Sequence, residues 1–90
     1  MEHTDFSELL FEAMATLETK DEIKNLFNDI CTPKEVKSIA QRFGVAKMLN
    51  EGAVYSEIVK ATGASTATVS RVNRTMDTGC KTALERMGKK

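Results

Sequence analysis

The stretch that most constrains this chain spans residues 55–76, Y-S-E-I-V-K-A-T-G-A-S-T-A-T-V-S-R-V-N-R-T-M. It reads as a helix-turn-helix. Gly63 is the turn residue, because a residue without a Cβ takes a positive φ and ends a helix without a clash. Ser65, two residues on, is a good N-cap for the helix that follows. Ile58, Val59, Ala64, Val69 and Val72 fall where they would lock two crossed helices. Val69, Val72 and Met76 share one face at i, i+3 and i+7. The other face shows Thr66, Thr68, Ser70, Arg71 and Arg74, small hydroxyls and forked cations that reach base edges and phosphates in a major groove. A purely structural helical hairpin would have the same glycine and apolar set, so the exposed chemistry is what separates the two readings.

Ninety residues suit one small domain, and a hydrophobic share of 41% makes a thin core for so short a chain. Dimerisation would supply the missing burial and is expected. With one Pro, five Gly and no alternating strand run, the fold class is all-α. The formal charge of zero argues against a simple polycation that coats nucleic acid, but it hides an asymmetry. Residues 1–54 carry six basic and ten acidic side chains, whereas residues 55–90 carry seven basic and three acidic ones. The basic half contains the helix-turn-helix, as phosphate contact requires. Cys31 and Cys80 are isolated thiols without Cys or His at metal spacing, and they do not suggest a disulfide framework. The acidic N-terminus has no apolar leader region, and no run approaches membrane-spanning length, so a cytoplasmic protein is expected.

In chain order, residues 1–4 are expected to fray, with His3 solvated there. Asp5 is a candidate cap for a first helix, with Glu8 in capping-box position and an end near Glu18 or Thr19. Phe6, Leu9, Leu10, Phe11, Ala13 and Met14 leave much of that helix apolar, which fits a subunit interface. Thr19 or Asp21 caps a second helix, whose stripe is Ile23, Leu26, Phe27 and Ile30, and which stops near Cys31. Residues 1–31 are thus read as dimerisation helices. Thr32-Pro33-Lys34-Glu35 is the cleanest helix start in the chain: Thr32 caps, Pro33 needs no N–H, and Glu35 closes the box. A long scaffold helix then runs to about Glu51, and Gly52 ends it. Gly44 interrupts it at a propensity cost of about 1 kcal/mol, and a closely crossing helix would explain the glycine. Ser56 is the better cap for the next helix. Asp77-Thr78-Gly79 breaks the pattern before a last helix at residues 80–87, and residues 88–90 form a frayed basic end.

The segments C-T-P-K-E-V-K-S-I-A-Q-R-F-G-V-A-K-M-L-N-E-G and T-G-A-S-T-A-T-V-S-R-V-N-R together resemble the Trp-repressor superfamily, in particular its small YerC/YecD-like branch. The resemblance covers residues 30–75. It implies a six-helix fold, an intertwined homodimer with interlocked N-terminal helices, and two recognition helices in successive major grooves about 34 Å apart. Carried over to this sequence, the base-proximal positions are Thr66, Ala67, Thr68 and Ser70, and a phosphate-contacting lysine is Lys60. The family's arginine one turn earlier is Glu57 here, whose carboxylate would repel phosphate. The two arginines that sandwich the family's tryptophan are Arg42 and Arg71, and Thr32 matches a pocket threonine. The glycine that makes room for the indole is Val72, which would fill that space. Tryptophan is therefore not the expected effector, and no cofactor or metal is implied.

Three functions bear on this pattern. The leading one is a homodimeric regulator of double-stranded DNA: Lys60, Arg71 and Arg74 hold phosphates, while Thr66, Thr68 and Ser70 read bases directly or through water. The second is a helical protein-interaction module without DNA readout. An enzyme is disfavoured, because the chain has no nucleophile–base pair, metal cluster or phosphate loop.

Overall fold

The computed structural model describes residues 3–88. Over these residues the chain forms α1 (Ser7–Ala15), α2 (Lys20–Ile30), α3 (Pro33–Asn50), α4 (Tyr55–Thr62), α5 (Thr66–Thr75) and α6 (Thr78–Gly88). The all-α expectation holds, with six helices among the described residues. Expectations about residues 1–2 and 89–90 lie outside them. The chain divides into two compact units, residues 1–36 and 37–90, with the division in the first turn of α3.

In the N-terminal unit, local capping sets the helix limits. Asp5 Oδ1 accepts from both the backbone N–H and the hydroxyl of Ser7, at 2.9 and 2.7 Å. The cap position itself is Phe6, so Asp5 acts from one residue further out than the sequence suggested. α1 ends at Ala15, short of the expected Glu18 or Thr19. The next cap explains this early stop. Thr19 Oγ1 accepts from Glu22 N, while the Glu22 carboxylate takes the N–H groups of Glu18 and Thr19 at 2.7 and 3.2 Å. That box starts α2 and leaves Glu18 unavailable to α1. The same device recurs at α3: Glu35 N donates to Thr32 Oγ1 at 3.1 Å and Thr32 N to Glu35 Oε1 at 2.7 Å. These bonds hold the Glu35 carboxyl below its ordinary value, with the Thr32 backbone N–H the larger cause. Neither α1 nor α2 contains a buried residue.

The C-terminal unit contains the core. Val45 and Ala46 of α3, Ile58 of α4, Ala64 of the turn and Val69 and Val72 of α5 form one buried cluster, flanked by Met48, Leu49, Ala53, Val59, Met76 and Cys80. α3 ends in a Schellman motif: Gly52 has φ +83°, Ala53 N donates to Met48 O, and Gly52 N donates to Leu49 O. α4 and α5 pack against each other. α4 starts at Tyr55 behind Val54, so Ser56 lies inside the helix rather than capping it. α6 starts at Thr78 and absorbs Gly79, so only Met76 and Asp77 separate it from α5. Gly44 does lie beside α4, but a Cβ there would meet Thr62 Cγ2 at 3.9 Å, an ordinary contact. Close helix approach therefore does not require this glycine.

Candidate nucleic-acid interface

The turn that orients the interface is fixed from three sides. Gly63 takes φ +74°, and its N–H bonds to Val59 O at 2.9 Å. Thr62 Oγ1 donates back to Ile58 O and accepts from Ala64 N. From α3, the Gln41 amide Nε2 donates to Thr62 O at 3.2 Å, satisfying a carbonyl that the helix end leaves open. At the other end of α4, Asn73 Nδ2 of α5 donates to the Tyr55 hydroxyl at 3.1 Å. α4 is thus tied to α3 at its last turn and to α5 at its first. Sequence reading missed Gln41, Tyr55 and Asn73. These links join residues 21 and 18 positions apart, and neither periodicity nor a local motif encodes such a pairing.

Ser65 caps α5 as expected: it is extended, and its Oγ accepts from Thr68 N at 3.1 Å. The same hydroxyl donates to Thr68 Oγ1 at 3.1 Å. Val69 and Val72 face the core, and Thr66, Ala67, Arg71 and Arg74 are exposed. Thr68 and Ser70 are half-buried, at the margin between the two faces. Lys60 is exposed on α4. The helix thus presents cations and the first-turn positions outward, while its valines hold it in place.

A cleft of about 490 Å³ separates Ser38, Gln41 and Arg42 of α3 from Thr68, Arg71, Val72 and Thr75 of α5. Three expected effector residues, Arg42, Arg71 and Val72, meet there. Thr32 belongs to the N-terminal unit, where its hydroxyl is occupied in capping α3. The arginines have no carboxylate partner: among the described residues the one ion pair is Lys47–Glu51 at 2.8 Å, on the outside of α3. Val72 is 8% exposed, belongs to the core, and forms part of the cleft wall. A second space, about 430 Å³, lies on its other side, among Ile39, Phe43, Met76 and Cys80. Cys31 and Cys80 are both free thiols.

Residues 7–88 match the family described as Trp repressor protein. The chain belongs to the Trp repressor family. Within it, the chain is 47% identical over 70 residues to the uncharacterized protein YerC of Bacillus subtilis (strain 168), covering 78% of this chain and 67% of that protein. The YerC/YecD-like branch is thereby supported. A crystal structure of a TrpR-like protein from Eubacterium eligens ATCC 27750 is similar with a TM-score of 0.87 and 46% identity, over 96% of this chain and 92% of that one. A Staphylococcus aureus chain proposed to be a Trp repressor is similar with a TM-score of 0.82 and 37% identity, over 98% of both chains. Membership in the Trp repressor family makes this chain a helix-turn-helix DNA-binding regulator rather than an enzyme. No helix among the described residues is long and apolar enough to cross a membrane.

Proposed function

We propose that the chain acts as a homodimer that binds specific operator sequences in the cytoplasm, without tryptophan as its gate. The observation that carries this reading is α5 itself: a Ser65-capped helix anchored by Val69 and Val72, with Thr66, Ala67, Arg71 and Arg74 left outward. Lys60, Arg71 and Arg74 hold phosphates, while Thr66, Ala67, Thr68 and Ser70 are the base-proximal set. Dimerisation is supported by the apolar residues that α1 leaves exposed, Phe6 at 65%, Leu9 at 60% and Phe11 at 58%. A patch of this kind marks an interaction surface. The case against tryptophan rests on Val72, whose isopropyl group stands in the cleft wall where the family's glycine would leave room. Overpacking of this kind costs about 1–3 kcal/mol.

The test is selection of bound duplexes from a random library at moderate salt, using protein of measured oligomeric state. A palindrome with half-sites about one helical turn, ~34–36 Å, apart is the expected result. Failure to enrich any sequence, with or without small-molecule extract, would favour a protein-interaction module. The chain has no Trp, so added tryptophan can be followed by its own fluorescence. A saturable change would overturn the ungated reading.

A further inference from the structure

Among the described residues, two side-chain hydrogen bonds join residues more than four positions apart, Gln41 to Thr62 and Asn73 to Tyr55. Only the first involves α3, so this amide is the scaffold helix's one directional hold on the α4–α5 turn. Its orientation is settled by its partner: the Thr62 carbonyl only accepts, so the Gln41 amino group must face it. The same nitrogen lies 3.9 Å from where a Cβ on Gly63 would stand. Beyond it, Ala64 N donates to the Thr62 hydroxyl, and Ser65 caps α5. Gln41 therefore holds the residue that leads into the start of α5. Otherwise α3 meets α4 and α5 through the apolar cluster, with Val45 and Ala46. Apolar burial is non-directional. A hydrogen bond weakens steeply as it bends.

That difference falls unequally on the residues proposed to meet DNA. Thr66, Ala67, Thr68 and Ser70 are short, so their atoms go wherever α5 goes. Lys60, Arg71 and Arg74 are exposed and long, and they re-aim at a phosphate after a small tilt of the helix. Base contacts carry sequence information, and phosphate contacts do not. We propose that Gln41 is a positioning residue for base reading: its bond to the Thr62 carbonyl fixes the angle at which α5 meets the groove, so specific binding depends on it and non-specific binding does not. This rests on the DNA-reading function proposed above. Gln41 touches no base in this scheme and acts through the turn.

The test compares the full chain as wild type, Gln41→Met and Gln41→Leu. Neither replacement donates a hydrogen bond, and neither changes the charge. Kd is measured on the duplex that the wild type enriches and on a scrambled duplex, over a range of salt, with circular dichroism and the denaturation midpoint recorded alongside. Both variants are expected to bind the enriched duplex about fivefold more weakly per half-site, the factor that one neutral hydrogen bond typically carries. Kd on the scrambled duplex and its dependence on salt stay at the wild-type values. The helical spectrum is kept, because Gln41 is only half-buried, and the midpoint falls slightly as the Thr62 carbonyl loses its partner. An unchanged ratio of the two Kd values, whatever the midpoint does, would overturn the positioning role and leave the DNA-reading function standing. Loss of the helical spectrum in both variants would make the bond a requirement for folding and overturn the role as well. No motif enriched by the wild type would overturn the DNA-reading function and the role of Gln41 with it.

Discussion

The two units of this chain treat their apolar residues in opposite ways. In residues 37–90 Val45, Ala46, Ile58, Ala64, Val69 and Val72 are buried, and Val45, Ile58 and Val69 are each 0% exposed. In residues 1–36 α2 starts on a complete capping box, yet neither α1 nor α2 has a buried residue, and Phe6, Leu9, Phe11 and Ile30 are each more than half exposed. Capping therefore sets where a helix begins without supplying the burial that keeps it. Short helices depend on packing of an apolar face for most of their stability. The C-terminal unit supplies that packing internally. The N-terminal unit has to find it in something that covers it, and a second copy of the chain is the proposed cover.

The sharpest way to break this contrast is Phe11→Ala. If a second chain covers α1, the substitution removes a buried ring, with an expected cost of about 3–5 kcal/mol. The denaturation midpoint would fall and would depend on protein concentration, as it does for any fold completed by association. Sedimentation would show monomer. No change in either measurement would mean that α1 has no apolar cover. The matching probe of the other unit is Ile58→Ala, with an expected cost of about 2–5 kcal/mol from a cavity in the core. Its effect is seen as a lower midpoint and lost duplex binding, because α4 and α5 are held through that side chain.

A smaller effect separates capping from burial at the start of α3. The ordinary Glu35 value is 4.5, and the Thr32 bonds lower it in the folded chain. A depressed carboxyl contributes stability above its unfolded value and loses it as pH falls through the folded one. Glu35→Gln should therefore flatten the acid limb of a stability–pH curve below about 4.5 and remove part of the stability at neutral pH. An unaltered acid limb would show that the box contributes nothing to folding. Smallest of all is Gly44→Ala. Since a Cβ fits there, the expected outcome is a gain of about 0.5–1 kcal/mol from helix propensity, read as a higher midpoint. A loss would mean that α3 and α4 are packed more tightly than 3.9 Å implies.

Much of the C-terminal unit was legible in the sequence, because its signals are local. Gly63, Ser65 and the Val69–Val72 spacing each act within one turn of chain, and all three do what the pattern implied. The Thr32–Glu35 box was legible for the same reason. Readings failed at helix limits that a neighbouring residue shifts. Glu22 reaches back over Glu18 and shortens α1, and Val54 takes the cap position that Ser56 seemed better suited to fill. The polar links from Gln41 and Asn73 were not legible at all. A glutamine on an amphipathic helix looks the same whether it faces solvent or a carbonyl 21 residues away. Of the residues proposed to read DNA, the pattern showed the face but not the depth: Thr68 and Ser70 sit at its margin, with the Thr68 hydroxyl already joined to Ser65.

Val72 is a wall shared by two spaces, together with Arg42 and Thr75. It stands in the walls of both spaces, about 490 Å³ on one side and about 430 Å³ on the other, and only a few side chains are shared between them. Replacing valine with glycine takes one nucleotide, GTN to GGN. That step would remove one of the three side chains that line both spaces, and with it a buried isopropyl group of the core, while Arg42 and Thr75 stay. In evolutionary terms, a regulator with a divided cavity and one with a roomy cavity are immediate neighbours on this scaffold.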